Sequence, residues 1–264
     1  EVFGTPKGGV WELLLSCCMR AHRTTLAVTL VRACTTLTLV RACSGMALPH
    51  VGASPHWEKL WAGGLPKGTR FDVAGVSRPL AAELQRRSAA GEQCRAGMSA
   101  LVPGSGRAYD ALALAEHGFE TVVALDLSPA ACKAATEEIG ASTSKARGRI
   151  DVRCGDFFDL TGQYDFIWDN TFLCALEPEV RERWARQMKA LLAPGGELTT
   201  CVFPIGEREG GPPFALSVPL VRALLEPVGF EATLIQDKLP LEQQHRRPGD
   251  PLESVLERGT ALVT

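Results

Sequence analysis

The chain has 264 residues and a mass of 28.3 kDa, is 45% hydrophobic and 22% charged, and carries a net charge of −2. A chain of this make-up can bury a large core, which excludes a mostly disordered protein and a small disulfide-stapled scaffold. Without a basic excess, and with only 6% aromatics, it does not suit nucleic acid, and nine cysteines with no CxxC spacing argue for reduced thiols rather than a zinc site or a disulfide framework.

The first part of the chain differs from the rest. From Leu13 to Trp57 there is no Asp or Glu, while Arg20, Arg23, Arg32 and Arg41 stand among many Thr and Ala. The run Thr-Leu-Val-Arg-Ala-Cys occurs at 29–34 and again at 38–43. Two readings of residues 1–45 stay open: an organelle transit peptide, or upstream sequence that is not native to the protein. Arg32 breaks the apolar run from Leu26 to Val40, so no membrane span is expected. The expected location is the cytoplasm, or a plastid or mitochondrion if the segment is a transit peptide. The globular domain is expected over 46–264.

Strand and helix signals alternate beyond residue 98. Met98 to Val102 is a short apolar strand ending in Pro103-Gly104-Ser105-Gly106. Ala108 to His117 has helical spacing. Thr121 to Leu125 is a β-branched strand that runs into Asp126. Pro129 to Ile139 is a helix with Ser128 as its N-cap. Ile150 to Arg153 and Tyr164 to Trp168 are strands. Pro178 to Leu192 is a helix with Glu179/Arg183 and Glu182/Arg186 pairs, stopped by Pro194-Gly195-Gly196. Glu197 to Phe203 is a strand, Val218 to Val228 a helix, and Phe230 to Ile235 and Thr260 to Val263 the last strands. This alternation predicts an α/β fold, a mostly parallel sheet with helices on both faces. Ligands bind at the carboxyl ends of such strands, so the loops 103–107, 126–128, 154–158 and 169–173 should converge on one crevice.

Several residues there carry chemistry. Gly104 and Gly106 let a ligand approach the backbone where a Cβ would clash. Asp126 lies 20 residues beyond Gly106 and can accept from both hydroxyls of a ribose. Alone, these three residues fit a nicotinamide dinucleotide and S-adenosylmethionine equally well. The third glycine of the dinucleotide fingerprint is absent, which favours a ligand without a pyrophosphate. Gly155-Asp156-Phe157 offers an acceptor for an adenine amino group and a ring to cover its face. Leu192-Ala-Pro-Gly-Gly-Glu-Leu198 joins a helix to a strand, as in class I methyltransferases.

Four runs then resemble the thiopurine methyltransferase-like branch of the class I methyltransferases. They are Val102-Pro-Gly-Ser-Gly-Arg-Ala-Tyr-Asp110, the stretch from Tyr164 to Pro178, the stretch from Val202 to Phe214, and Trp57-Glu-Lys-Leu-Trp61. Within that branch, Cys-Ala-Leu-Glu-Pro and Gly-Gly-Pro-Pro-Phe look most like plant and algal thiol/halide methyltransferases. The resemblance covers about 56–264 and implies a Rossmann-like domain with a seven-stranded sheet, an N-terminal lid over 56–80, and S-adenosylmethionine as cofactor. It implies Trp57, Leu101, Gly104, Gly106, Asp126, Leu127, Asp156, Phe157 and Asp169 as cofactor residues, and Asn170, Phe203 and Trp61 at the reacting end. Two departures stand out. Asn170 replaces the Arg of thiopurine enzymes, and Gly-Thr-Arg-Phe71-Asp72 replaces a Thr-Pro-Trp-Asp run.

Methyl transfer from a sulfonium to a soft anion needs alignment and dryness more than a base. The sequence offers no Ser/His/Asp set and no His/Glu metal pair. All five histidines read as structural or solvated, and Cys174 as a small buried hydrophobe. The expected partner is a small thiol, sulfide or halide ion, with no nucleic acid, no membrane and no metal. Lacking heptads or an apolar stripe, the chain is expected to be a monomer.

Overall fold

The computed structural model describes residues 55–264. The expected extension 1–45 and the domain boundary at 46 lie outside these residues. Seven strands form one sheet: β1 (Ser99–Pro103), β2 (Thr121–Asp126), β3 (Ile150–Cys154), β4 (Tyr164–Asn170), β5 (Leu192–Val202), β6 (Ile235–Gln236) and β7 (Ala261–Val263). Their order is β3-β2-β1-β4-β5-β7-β6. The first five run parallel, and β7 is antiparallel to both of its neighbours. This is the expected mostly parallel seven-stranded sheet.

Among the described residues seven α-helices accompany it: α1 (Pro55–Ala62), α2 (Arg78–Ala89), α3 (Tyr109–His117), α4 (Pro129–Ala141), α5 (Arg181–Leu191), α6 (Val218–Leu225) and α7 (Leu252–Arg258). The strand pleat sends alternate residues to opposite faces. Leu101, Val123, Leu125 and Ile167 pack with Trp184 and Met188 of α5 and Val221 of α6. Ala100, Val102, Val122, Ala124, Phe166 and Trp168 pack with Ala111 and Leu114 of α3 and Ala135 of α4. Both faces are therefore covered, which is why the central strands read as unbroken apolar runs. Ser128 caps α4 as expected: its hydroxyl accepts from the Ala131 amide at 3.1 Å.

Some boundaries depart from the sequence reading. The Pro194-Gly195-Gly196 run does not stand outside the sheet. It belongs to β5, where Leu192 already pairs with Tyr164, and an irregularity between Tyr164 and Phe166 absorbs the turn. The strand expected over Phe230 to Ile235 is only Ile235–Gln236. The helix expected from Pro178 begins as a short 3-10 turn and becomes α-helical at Arg181. Glu182 and Arg186 pair at 3.6 Å, but Arg183 lies over the Phe158 ring instead of meeting Glu179. Helices α1, α2 and α7 were not apparent from periodicity. Among the described residues, no helix is long and apolar enough to cross a membrane.

Candidate active site

The sheet order places β1 beside β4, and the chain switches direction of travel there. At the carboxyl ends of these strands lies a cavity of about 840 Å³. The four loops expected to converge do so, with Gly104, Asp126, Asp156 and Asn170 each contributing to the wall.

The turn after β1 is built around positive backbone angles. Gly104 has φ +60° and Gly106 φ +53°. A Cβ on Gly104 would lie 2.8 Å from the Phe172 ring, and one on Gly106 would lie 3.2 Å from Trp61. Glycine is thus required by conformation and by space at once. Asp126 ends β2 and stabilises this turn. One of its oxygens accepts from the Gly106 amide at 2.9 Å, and the other from Ser128 at 3.0 Å. Burial pushes its carboxyl up, and these backbone donors pull it back. Leu127, Asp156 and Phe157 follow along the same wall. Asp156 accepts from the Phe158 amide at 2.8 Å, and Phe157 is buried edge-on against Phe172, with ring centroids 4.9 Å apart.

The segment from α1 to α2 forms another wall. Trp57 and Trp61 both meet Phe71 edge-on, at 5.4 and 5.6 Å. Arg107 fastens this segment to the glycine turn. It donates to Asp72 at 2.9 Å and to the Leu65 carbonyl at 2.6 Å, with its guanidinium over Trp61. The departing run Gly-Thr-Arg-Phe71-Asp72 therefore supplies both an aromatic contact and a buried ionic anchor. Glu58 of α1 accepts from the Ser128 hydroxyl and adds a second tie.

The far end of the cavity is formed by Phe203, Pro213, Cys174, His245 and Arg258. Phe203 is buried with its ring 4.5 Å from that of His245. His245, one of the histidines expected to be structural or solvated, is of the structural kind. It is buried, and its Nδ1 has no hydrogen-bond partner among the described residues. Burial first, and then the charge of Arg258, push its pKa down to about 4. Nothing in the local sequence marks it, because its neighbourhood comes from Phe203, just past β5, and from Arg258 of α7. Behind it, Asp250 accepts from Arg247 at 2.6 Å and Arg258 at 2.9 Å, and these bonds outweigh burial to hold its carboxyl well below the usual range. Cys174 lines the cavity, and burial pushes its thiol up.

Two expected site residues stand elsewhere. Leu101 is fully buried in the core between strand and helix, not at the cavity. Asp169 is fully buried as well. Its side chain turns away from the cavity and accepts from the Leu173 amide at 3.1 Å and from Trp184 at 3.0 Å. The reason is the pleat: Asn170, one residue later, faces the opposite way and lines the cavity. Sequence reading missed Asp110, which accepts from Ser77, Trp168 and Asn170. The only local sign was an acid two residues into the helix after the glycine turn.

A family model for thiopurine S-methyltransferase matches residues 53–262. The chain belongs to the thiopurine S-methyltransferase family. It is 40% identical over 187 residues to probable thiol methyltransferase 2 of Arabidopsis thaliana, covering 70% of this chain and 77% of that protein. It is 38% identical over 192 residues to thiocyanate methyltransferase 1 of Brassica oleracea, covering 72% and 80%. The fold is also that of the glycopeptide N-methyltransferase MtfA, solved with S-adenosyl-L-methionine, at TM-score 0.53 and 14% identity over 71% of this chain and 93% of that one.

Proposed function

We propose that this methyltransferase-family protein transfers the methyl group of S-adenosylmethionine to small thiols, sulfide or halide ions. The observation that carries the reading is one cavity shared by two kinds of wall. Glycine turns and carboxylates line one half, and Asn170, Phe203 and His245 line the other. The chemistry of the first half fits an adenosyl ligand. Gly104 and Gly106 leave room for close approach, Asp126 is an acceptor for ribose hydroxyls, Asp156 for the adenine amino group, and Phe157 covers a ring face. The names of the plant relatives, a probable thiol methyltransferase and a thiocyanate methyltransferase, support small sulfur acceptors.

When bound, S-adenosylmethionine supplies an electrophilic methyl group on a sulfonium. The chain's own residues would do the rest by placement. Asn170 ends β4 and has an amide oxygen with no partner among the described residues. Phe203, Trp61 and Phe172 exclude water, which otherwise cages a small anion and slows it. No strong proton acceptor is needed, because hydrogen sulfide and acidic thiols are partly ionised near neutral pH. His245 fits that picture, since at a pKa of about 4 it stays neutral beside the acceptor end.

The test offers labelled S-adenosylmethionine with iodide, bisulfide, thiocyanate or thiophenol to the purified protein. Volatile methyl iodide or methanethiol is the expected product. Methylation of thiophenol alone would move the assignment to larger aromatic thiols. Binding of the cofactor with turnover on none of the four would mark a chain that has kept the site and lost the reaction.

A further inference from the structure

Asp110 is a half-buried carboxylate on the cavity wall that receives four hydrogen bonds, from Ser77, Trp168 and Asn170. The Ser77 amide donates to one oxygen at 2.7 Å, and the Ser77 hydroxyl donates to the other at 2.7 Å. That second oxygen also accepts from Trp168 Nε1 at 2.8 Å and from Asn170 Nδ2 at 3.2 Å. Ser77 stands at the N-cap of α2 yet makes no side-chain cap to its own helix. Its hydroxyl is given to Asp110 instead, which ends the segment carrying Phe71 and Asp72 against the glycine turn.

The consequence at Asn170 follows from donor and acceptor chemistry. An ionised carboxylate only accepts, so the amide must turn its NH2 group toward Asp110. The amide oxygen then points the other way, and it is buried without a partner on a residue that lines the cavity. If the amide were reversed, it would leave two acceptors facing each other. Asp110 therefore decides the sign of the dipole at the end of β4.

We propose that Asp110 is a positioning residue that fixes the Asn170 amide at the end of β4 and couples it, through Ser77, to the wall formed by residues 63–77. The inference rests on the methyltransferase reading. Its test separates the two by one cycle of variants and one readout that needs no turnover. Asp110→Asn, Asn170→Ala and the double variant are assayed in the full chain at saturating S-adenosylmethionine, with whichever acceptor the unaltered protein uses. Each single change is expected to lower kcat by about 10- to 100-fold, and the double variant to fall no more than about 3-fold below the weaker single. Effects that multiply, or an unchanged kcat in Asp110→Asn, would overturn the inference while leaving the methyltransferase reading intact.

Trypsin nicking after the exposed Lys67 and Arg70 is the second readout, and it is independent of catalysis. Nicking should speed at least several-fold in Asp110→Asn and in Ser77→Ala, but not in Asn170→Ala, because only the first two changes cut the tie to the 63–77 wall. Equal nicking in all three overturns the coupling even if no acceptor is ever found. Should Asp110→Asn fail to fold, Ser77→Ala and Asn170→Ala are combined instead. The combination is expected to lower kcat no further than Asn170→Ala alone, and a multiplied loss counts against the proposal.

Discussion

Asp126 holds two positions in the site at once. Its oxygens already stiffen the turn by accepting from Gly106 and Ser128, and the same carboxylate faces the cavity. Replacing it with alanine removes a charge-assisted acceptor for ribose, expected to weaken S-adenosylmethionine binding by about 1.5–3 kcal/mol. Calorimetry on protein shown by circular dichroism to be folded would measure this, and an unchanged Kd would remove Asp126 from the ribose site. His245 offers a second test. Its folded pKa of about 4 lies below the ordinary 6.5, so the unfolded chain takes up the proton first. Stability from this group is complete above about pH 6.5 and lost as pH falls toward 4. Asp169, which burial pushes up to about 7, acts in the opposite sense: its contribution is lost as pH rises through the same range. Comparing His245→Phe with the unaltered protein cancels Asp169. The variant should gain about 3 kcal/mol relative to the parent between pH 7 and pH 4. Urea unfolding at the two pH values measures the difference, and a constant gap would show that His245 is not held neutral. Gly104, Gly106, Asp126 and Asp156 were legible because each sits at a strand end, where spacing alone implies exposure to a ligand. Asp110 and His245 were not, because their partners come from 33 residues away at Ser77 and from the segment just past β5 at Phe203.

At the scale of elements, the start of β5 shows how a helix stop can also belong to a strand. Pro-Gly-Gly is the usual end of a helix, and the sequence reading treated it so. In the fold the helix does end, at Leu191, but the same residues lie within β5, bulged between its Leu192–Tyr164 and Glu197–Phe166 pairings, and Gly196 lies close against β4. A Cβ there would come within 2.9 Å of the Asp165 carbonyl and 3.0 Å of the Tyr164 carbonyl. Both contacts are backbone, so they cannot swing aside. Gly196→Ala should therefore cost about 1–3 kcal/mol, the range for overpacking, with no change in cofactor affinity for the protein that remains folded. Chemical denaturation reads the first quantity and calorimetry the second. A neutral substitution would mean that this part of β5 is not held against β4. The strands β1, β2 and β4 were legible because their apolar runs end in turn residues. The helices α1, α2 and α7 were not, since α1 is short and aromatic, and α2 is dominated by Arg86, Arg87 and Glu83 in an ionic cluster rather than by an apolar stripe.

On the scale of the whole molecule, the cavity is assembled from segments spread between His56 and Arg258. A ligand that fills it fastens the 63–77 wall, the strand ends and α7 together, and must stabilise all of them at once. Binding to the folded state alone adds RT ln(1 + [L]/Kd), about 2.7 kcal/mol at roughly 100 times Kd. For a domain of this size each kcal/mol raises Tm by about 2–4 °C, so saturating S-adenosylmethionine should raise it by roughly 5–10 °C. Iodide or thiocyanate at low millimolar concentration should add little alone, because a small ion touches only the Phe203 and His245 end. The Asp126→Ala variant should lose most of the shift at the same ligand concentration, since its Kd has risen. NADH serves as the comparison ligand. A shift with NADH and none with S-adenosylmethionine would place a dinucleotide against the Gly104–Gly106 turn, despite the missing third glycine. A shift with S-adenosylmethionine that survives Asp126→Ala would put the adenosyl group elsewhere in the cavity.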